Sequence, residues 1–132
     1  VVCDPLINSE TTPGEGHWQR GGGRVLIPFR RAIVVGSSME PTLSDGDWLI
    51  ARTARGGNAV AAADLVLVEQ PDRPGFLLVK RAVRRVGSGW WVEGDNVAAS
   101  DDSRTFGVVP DALVLGQVIL RYGPRRRQWQ RY

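Results

Sequence analysis

Gly36-Ser37-Ser38-Met39-Glu40-Pro41-Thr42-Leu43, running on to Gly46-Asp47, is the stretch whose reading decides the fold. An apolar run at 32–35 stops abruptly at Gly36, and two hydroxyls, the chain's only methionine and a proline follow. A strand that feeds a small-residue turn places a serine at the strand end, where its hydroxyl stands clear of the sheet. Read alone, the stretch is a Ser/Pro/Gly turn between two strands. Short motifs of this kind recur by chance, so the rest of the chain has to decide whether the turn carries chemistry.

Outward from this turn the pattern is one of short apolar runs divided by turn signals. Strands are expected at 24–27, 32–35, 48–53, 65–69, 76–86, 90–93 and 114–121. Pro71-Asp72-Arg73-Pro74-Gly75 and Gly87-Ser88-Gly89 read as hairpin turns between them. No window keeps a helical period over three turns, and 58–63 offers one turn at most. The expectation is an all-β, barrel-like or coiled-sheet domain with little helix. It divides into a flexible leader at 1–23, a folded domain at 24–124 and a basic C-terminal tail at 125–132. The 132 residues, 42% of them apolar, suffice for one domain with a core.

Residue counts exclude much chemistry. Of the 17 basic residues, 16 are arginine, and Lys80 is the only lysine. Arginine does not release its proton in a protein, whereas a desolvated lysine does, so Lys80 is the one basic side chain able to act as a general base besides His17. It lies in the apolar run Phe76-Leu77-Leu78-Val79-Lys80. Position alone leaves open the reading of a solvated ammonium that survived an arginine-rich composition. His17 and Cys3 are each the sole residue of their kind. A Ser-His-Asp or Cys-His mechanism would depend on His17, and a protein-only zinc site would lack its usual ligands, so no metal or cofactor is expected.

The formal net charge is only +3, with arginines crowded at 121–131. Such a tail usually meets solvent, and with no groove-reading helix in the pattern no nucleic-acid partner is expected. No run approaches the 18 or so apolar residues of a membrane span, so no membrane anchor is expected in this chain. The single cysteine suits a reducing compartment, and a cytoplasmic location is the expectation.

A third cluster stands at Gly94-Asp95-Asn96, then Ser100-Asp101-Asp102-Ser103-Arg104. Alone it reads as an Asx-rich loop capping its own backbone. Taken with the serine turn and the isolated lysine, in this order, the chain resembles the signal peptidase I superfamily of serine proteases over roughly 32–121. The resemblance implies roles for particular residues. Ser38 would be the nucleophile, Lys80 the general base and Ser100 the residue orienting its amine. Asp102 and Arg104 would form an ion pair bracing the loop, with Asp95 and Asn96 as further support. Gly36 and Ser37 would shape the turn beside an oxyanion hole resting on the Ser38 N–H, Gly36 standing where some members carry a serine. The short spacing from Lys80 to Asp95, together with 89–96 and 118–124, is similar to the branch that matures nickel-type superoxide dismutase. That branch implies a protein precursor with an N-terminal leader as partner, nickel superoxide dismutase in particular. The alternatives are a secretory signal peptidase domain without its anchor, a self-cleaving repressor-type module and an inactive peptide-binding β-domain.

Overall fold

The computed structural model describes residues 2–3, 29–54, 60–123 and 129–132. They build β1 (Val2–Cys3), β2 (Phe29–Val34), β3 (Trp48–Thr53), β4 (Leu65–Glu69) and β5 (Leu77–Val86). After these come β6 (Gly89–Glu93), a one-turn helix α1 (Ser103–Phe106), β7 (Val109–Pro110), β8 (Val114–Tyr122) and β9 (Trp129–Arg131). Single turns of 3-10 helix cover Val97–Ala99 and Asp111–Leu113. The domain is all-β, as the run-and-turn pattern implies.

All nine strands join one sheet in the order β1-β2-β3-β8-β4-β5-β6-β7, with β9 added to β8. Every pairing is antiparallel. β8 is inserted between β3 and β4, so a strand late in the chain closes the middle of the sheet. It carries register shifts against both neighbours, at Ile50/Ala51 and at Leu67/Val68. Bulges bend a strand and increase its twist. The sheet therefore curls, and β1 at one end comes to lie near β5.

Curling creates two cores. Leu65 and Leu67 pack with Ala32, Val34, Met39, Leu49 and Val79. Val66 and Val68 pack with Leu78, Ala82, Trp90, Val92 and Val109. β4 is thus buried on both faces, which explains its unbroken Leu-Val-Leu-Val run where a half-exposed strand would alternate.

Four expectations need correction or restriction. The strand expected at 24–27 lies outside the described residues, and the strand expected at 32–35 begins three residues earlier and ends at Val34. Of the expected leader, Val2–Cys3 forms a strand, with Val2 opposite Val34 and Cys3 opposite Ile33. Of the expected tail, Trp129–Arg131 pairs with Leu120–Tyr122. Both terminal pieces found open sheet positions, and a two- or three-residue pairing leaves little periodic signal in sequence.

The close pairing of β8 with β3 depends on Gly116. A Cβ there would sit 2.7 Å from the Arg52 carbonyl oxygen, a backbone atom that cannot swing aside. Gly116→Ala is expected to destabilise the domain by about 1–3 kcal/mol. A lower urea midpoint with unchanged m would confirm it.

Candidate active site

The serine turn is held in shape chiefly by backbone. Gly36 has φ +96°, a conformation that favours glycine, and its N–H donates to Asp45 Oδ1 at 2.8 Å. Glu40 N–H donates to the Ser37 carbonyl at 3.2 Å, and Leu43 N–H to the Met39 carbonyl at 2.9 Å. Met39 and Leu43 are fully buried and anchor the turn in the first core. The Glu40–Pro41 peptide bond is cis. Ser37 is exposed and Ser38 half-buried, and among the described residues the Ser38 N–H meets no protein acceptor.

Lys80 sits in the middle of β5, opposite Val66. Strand alternation gives it the same face as Leu78 and Ala82, so it enters the apolar interior and is only 1% exposed. Burial disfavours its charged form and lowers its pKa from the usual 10.5. Asp102 and Asp101 oppose this shift, and Arg104 adds to it. Ser38 and Lys80 line one cavity of about 240 Å³, with Gly36, Gln70, Arg73, Phe76, Leu78 and Asp101 also in its wall.

Lys80 Nζ donates to Ser100 Oγ at 3.2 Å, and Ser100 Oγ donates to Asp102 Oδ2 at 2.7 Å. The direction of this relay follows from chemistry. An ionised Asp102 only accepts, so the one hydroxyl proton of Ser100 goes to it, and the amine must donate to Ser100. When the amine is neutral, its lone pair is left free for the cavity.

Asp102 itself is fully buried and saturated. Its carboxylate accepts from Arg104 Nε (2.9 Å) and Nη2 (2.6 Å), from the N–H groups of Gly94 (2.9 Å) and Arg104 (3.1 Å), and from Ser100. Burial alone would raise its pKa. The bonds from Arg104, Gly94 and Ser100 outweigh that and hold it well below the usual carboxylate range.

The Gly94–Asn96 segment clamps the serine turn to this assembly. Asn96 N–H donates to the Ser38 carbonyl at 2.9 Å, and Asn96 Nδ2 to the Ser37 carbonyl at 3.0 Å. Asp95 takes two bonds from Arg81, at 2.8 and 2.7 Å, and one from Thr42 Oγ1. Those bonds from Arg81, with one from Thr42, lower the Asp95 pKa against its burial. From the other side Arg121 on β8 donates to the Thr42 carbonyl at 2.7 Å.

The residues given roles by the resemblance therefore lie in or against one site, though not all touch, while His17 lies outside the described residues. Among the described residues no hydrogen bond joins Ser38 to Lys80, and the amine bonds Ser100 instead. Gly36 has its N–H committed to Asp45, so it contributes conformation to the turn and no free donor. Four contributors were missed: Gly94, Arg81, Arg121 and Gln70. Arg81 and Arg121 interrupt apolar strands, which is a signal of a specific partner. Gly94 stands in the third cluster but, having no side chain, was given no role, and Gln70 left no signal that spacing could isolate. No cluster of three or more His, Cys, Asp or Glu suited to a metal occurs among the described residues.

The family described as signal peptidase, peptidase S26, matches residues 24–88 and 86–123. The chain is 31% identical to the mitochondrial inner membrane protease subunit 1 of Xenopus tropicalis, over 70% of this chain and 68% of that protein. It is 34% identical to the mitochondrial ATP-independent inner membrane protease subunit 1a of Arabidopsis thaliana, over 69% and 68%. For the mitochondrial inner membrane protease subunit 2 of Saccharomyces cerevisiae the figures are 29%, 73% and 69%. These relatives are named for a membrane, and they overturn the expectation of a cytoplasmic location, which rested only on one cysteine and the lack of a spanning run. Among the described residues no helix is long and apolar enough to cross a membrane.

Two stability measurements probe the site. A lysine whose folded pKa is lowered binds fewer protons folded than unfolded, so its presence costs stability below about 10.5, and the cost shrinks as pH rises through that window. Lys80→Met should accordingly fold, equal or exceed the parent's denaturation midpoint at pH 7, and lose that advantage towards pH 10. A Cβ on Gly94 would fall 2.1 Å from Ser100 Oγ and 2.6 Å from the Ser38 carbonyl oxygen. Gly94→Ala should cost about 1–3 kcal/mol in the same unfolding assay.

Proposed function

The chain belongs to the signal peptidase family, peptidase S26, and from that premise we propose that it is a serine endopeptidase removing N-terminal leaders with a Ser38/Lys80 dyad. The observation that carries the reading is a lone lysine, 1% exposed, sharing a cavity with a serine in the turn after β2. Serine is a poor nucleophile until a base takes its proton, and a lysine serves as that base only where its pKa is depressed.

In the proposed reaction neutral Lys80 Nζ takes the proton of Ser38 Oγ as that oxygen bonds the scissile carbonyl carbon. The carbonyl π electrons move to its oxygen, which the free Ser38 N–H is available to receive. On collapse the C–N bond breaks, and the Lys80 ammonium passes its proton to the departing amine. Neutral Lys80 Nζ then takes a proton from water as the water oxygen bonds the acyl carbon, and on collapse the bond from that carbon to Ser38 Oγ breaks while Lys80 returns the proton to Ser38 Oγ. Ser100 holds the amine throughout, and Arg104 neutralises Asp102 so that its charge does not keep Lys80 protonated.

The substrate class is a protein precursor with an N-terminal leader. Nickel superoxide dismutase precursor is the finer candidate, supported by the 89–96 and 118–124 segments and the short Lys80-to-Asp95 spacing. The relatives' names favour a precursor met at a membrane. The assay offers both kinds of precursor to the purified chain and reads new N-termini by mass spectrometry. Cleavage of either supports the protease reading and selects the precursor, and cleavage of neither overturns it.

Ser38→Ala and Lys80→Arg should each remove cleavage by at least about 10²-fold while circular dichroism stays that of the parent. The parent's kcat/KM should rise with pH and level off below 10.5, because the base form accumulates as the lowered Lys80 pKa is passed. A profile flat from pH 6 to 9 would speak against Lys80 as the base.

A further inference from the structure

The loop between β4 and β5 holds a cation that the mechanism does not use. Arg73 is exposed and lines the cavity shared by Ser38 and Lys80. Its guanidinium lies over the Phe76 ring, 3.9 Å from the centroid, and Phe76 lines the same cavity. The backbone beneath is pinned on both sides. Arg73 N–H donates to the Gln70 carbonyl at 3.1 Å, and Phe76 N–H to the Arg73 carbonyl at 3.1 Å. Two carboxylates stand within four residues of Arg73, and each already serves another donor. Asp72 Oδ1 accepts from Gln70 Nε2 at 2.6 Å, and Glu69 Oε1 accepts from the Gly75 N–H. Among the described residues Arg73 forms no ion pair and no side-chain hydrogen bond. A guanidinium held over an aromatic face still has its N–H donors to offer.

We propose that Arg73 is a specificity-determining residue whose guanidinium donates to the side-chain carboxylate of an acidic substrate residue seated in this cavity. This rests on the protease reading above. Ser38 and Arg73 wall the same cavity, so that residue lies at or near the scissile bond. The N–H donors of a guanidinium form a fork that matches the two oxygens of a carboxylate, and its place over Phe76 lessens the freedom lost on binding. The other charges in the wall set where the carboxylate sits. Asp101, exposed and without an ion pair among the described residues, repels it, and Lys80 in its neutral working form offers no cation. Arg73 comes from the β4–β5 loop and Asp101 from the loop after β6, so the acid is drawn to the Arg73 wall. An amide of the same shape forgoes that attraction.

The test uses synthetic peptides spanning a leader–mature junction, varied one position at a time by the pairs Glu/Gln and Asp/Asn, with products read by mass spectrometry. The parent should prefer the acid at a single position, by roughly fivefold or more in kcat/KM at low salt and by less at high salt. Arg73→Gln should abolish that preference. Arg73→Glu should reverse it and favour Lys over Gln at the same position. Both changes fall on an exposed side chain, and circular dichroism checks that each variant keeps the parent's fold. No acid preference in the parent, or one unchanged in both variants, would overturn the role of Arg73 while leaving the protease reading intact. An acid preference spread evenly over every position would do the same, since it reports long-range attraction to a cationic chain. Failure of the parent to cut any junction, peptide or precursor, would overturn both.

Discussion

A single amine buried in an apolar sheet is the constraint on which the rest of the arrangement depends. Placing an ammonium among Leu78, Ala82 and Val66 is unfavourable, and the surroundings answer in a graded way. One hydroxyl, Ser100, bonds the amine directly. The carboxylate that could stabilise its charge stands one residue further out and is already occupied by Arg104. A direct Lys80–Asp102 ion pair would have held the proton on the lysine. Setting Ser100 between them keeps the geometry and weakens the attraction, so burial dominates the pKa.

Sheet topology brings these groups together from distant parts of the chain. β5 delivers Lys80 to one face and Arg81 to the other, an inevitable result of strand alternation. Arg81 then reaches Asp95, Asp95 reaches Thr42, and Asn96 takes the carbonyls of Ser37 and Ser38. One strand thus positions the amine through its inner side and braces the serine turn through its outer side. Main-chain groups do much of the bracing, and Gly94 allows the two loops to meet because it has no side chain to hold them apart.

Much of this was legible in the sequence, and the remainder was hidden for identifiable reasons. The all-β class followed from short runs and turn residues, Lys80 stood out as the only lysine, and Ser38, Ser100, Asp102 and Arg104 were singled out by the family resemblance. The burial of Lys80 could be argued only from its neighbours, since alternation along 76–86 does not say which face is inside when neither is purely polar. The pairing of Val2–Cys3 with β2 could not be read at all. Backbone hydrogen bonds at a sheet edge carry no side-chain code.

The composition has a consequence for observation. Because Lys80 is the only lysine, a chain grown with isotope-labelled lysine carries its label at one place, the interior of the cavity. Every side-chain resonance in such a spectrum belongs to that amine, with no surface lysines to overlap it. Its protonation, its exchange with solvent and its response to an occupant of the cavity become directly visible without mutation or a reporter group. The sole lysine of the chain is thereby also the chain's own spectroscopic probe.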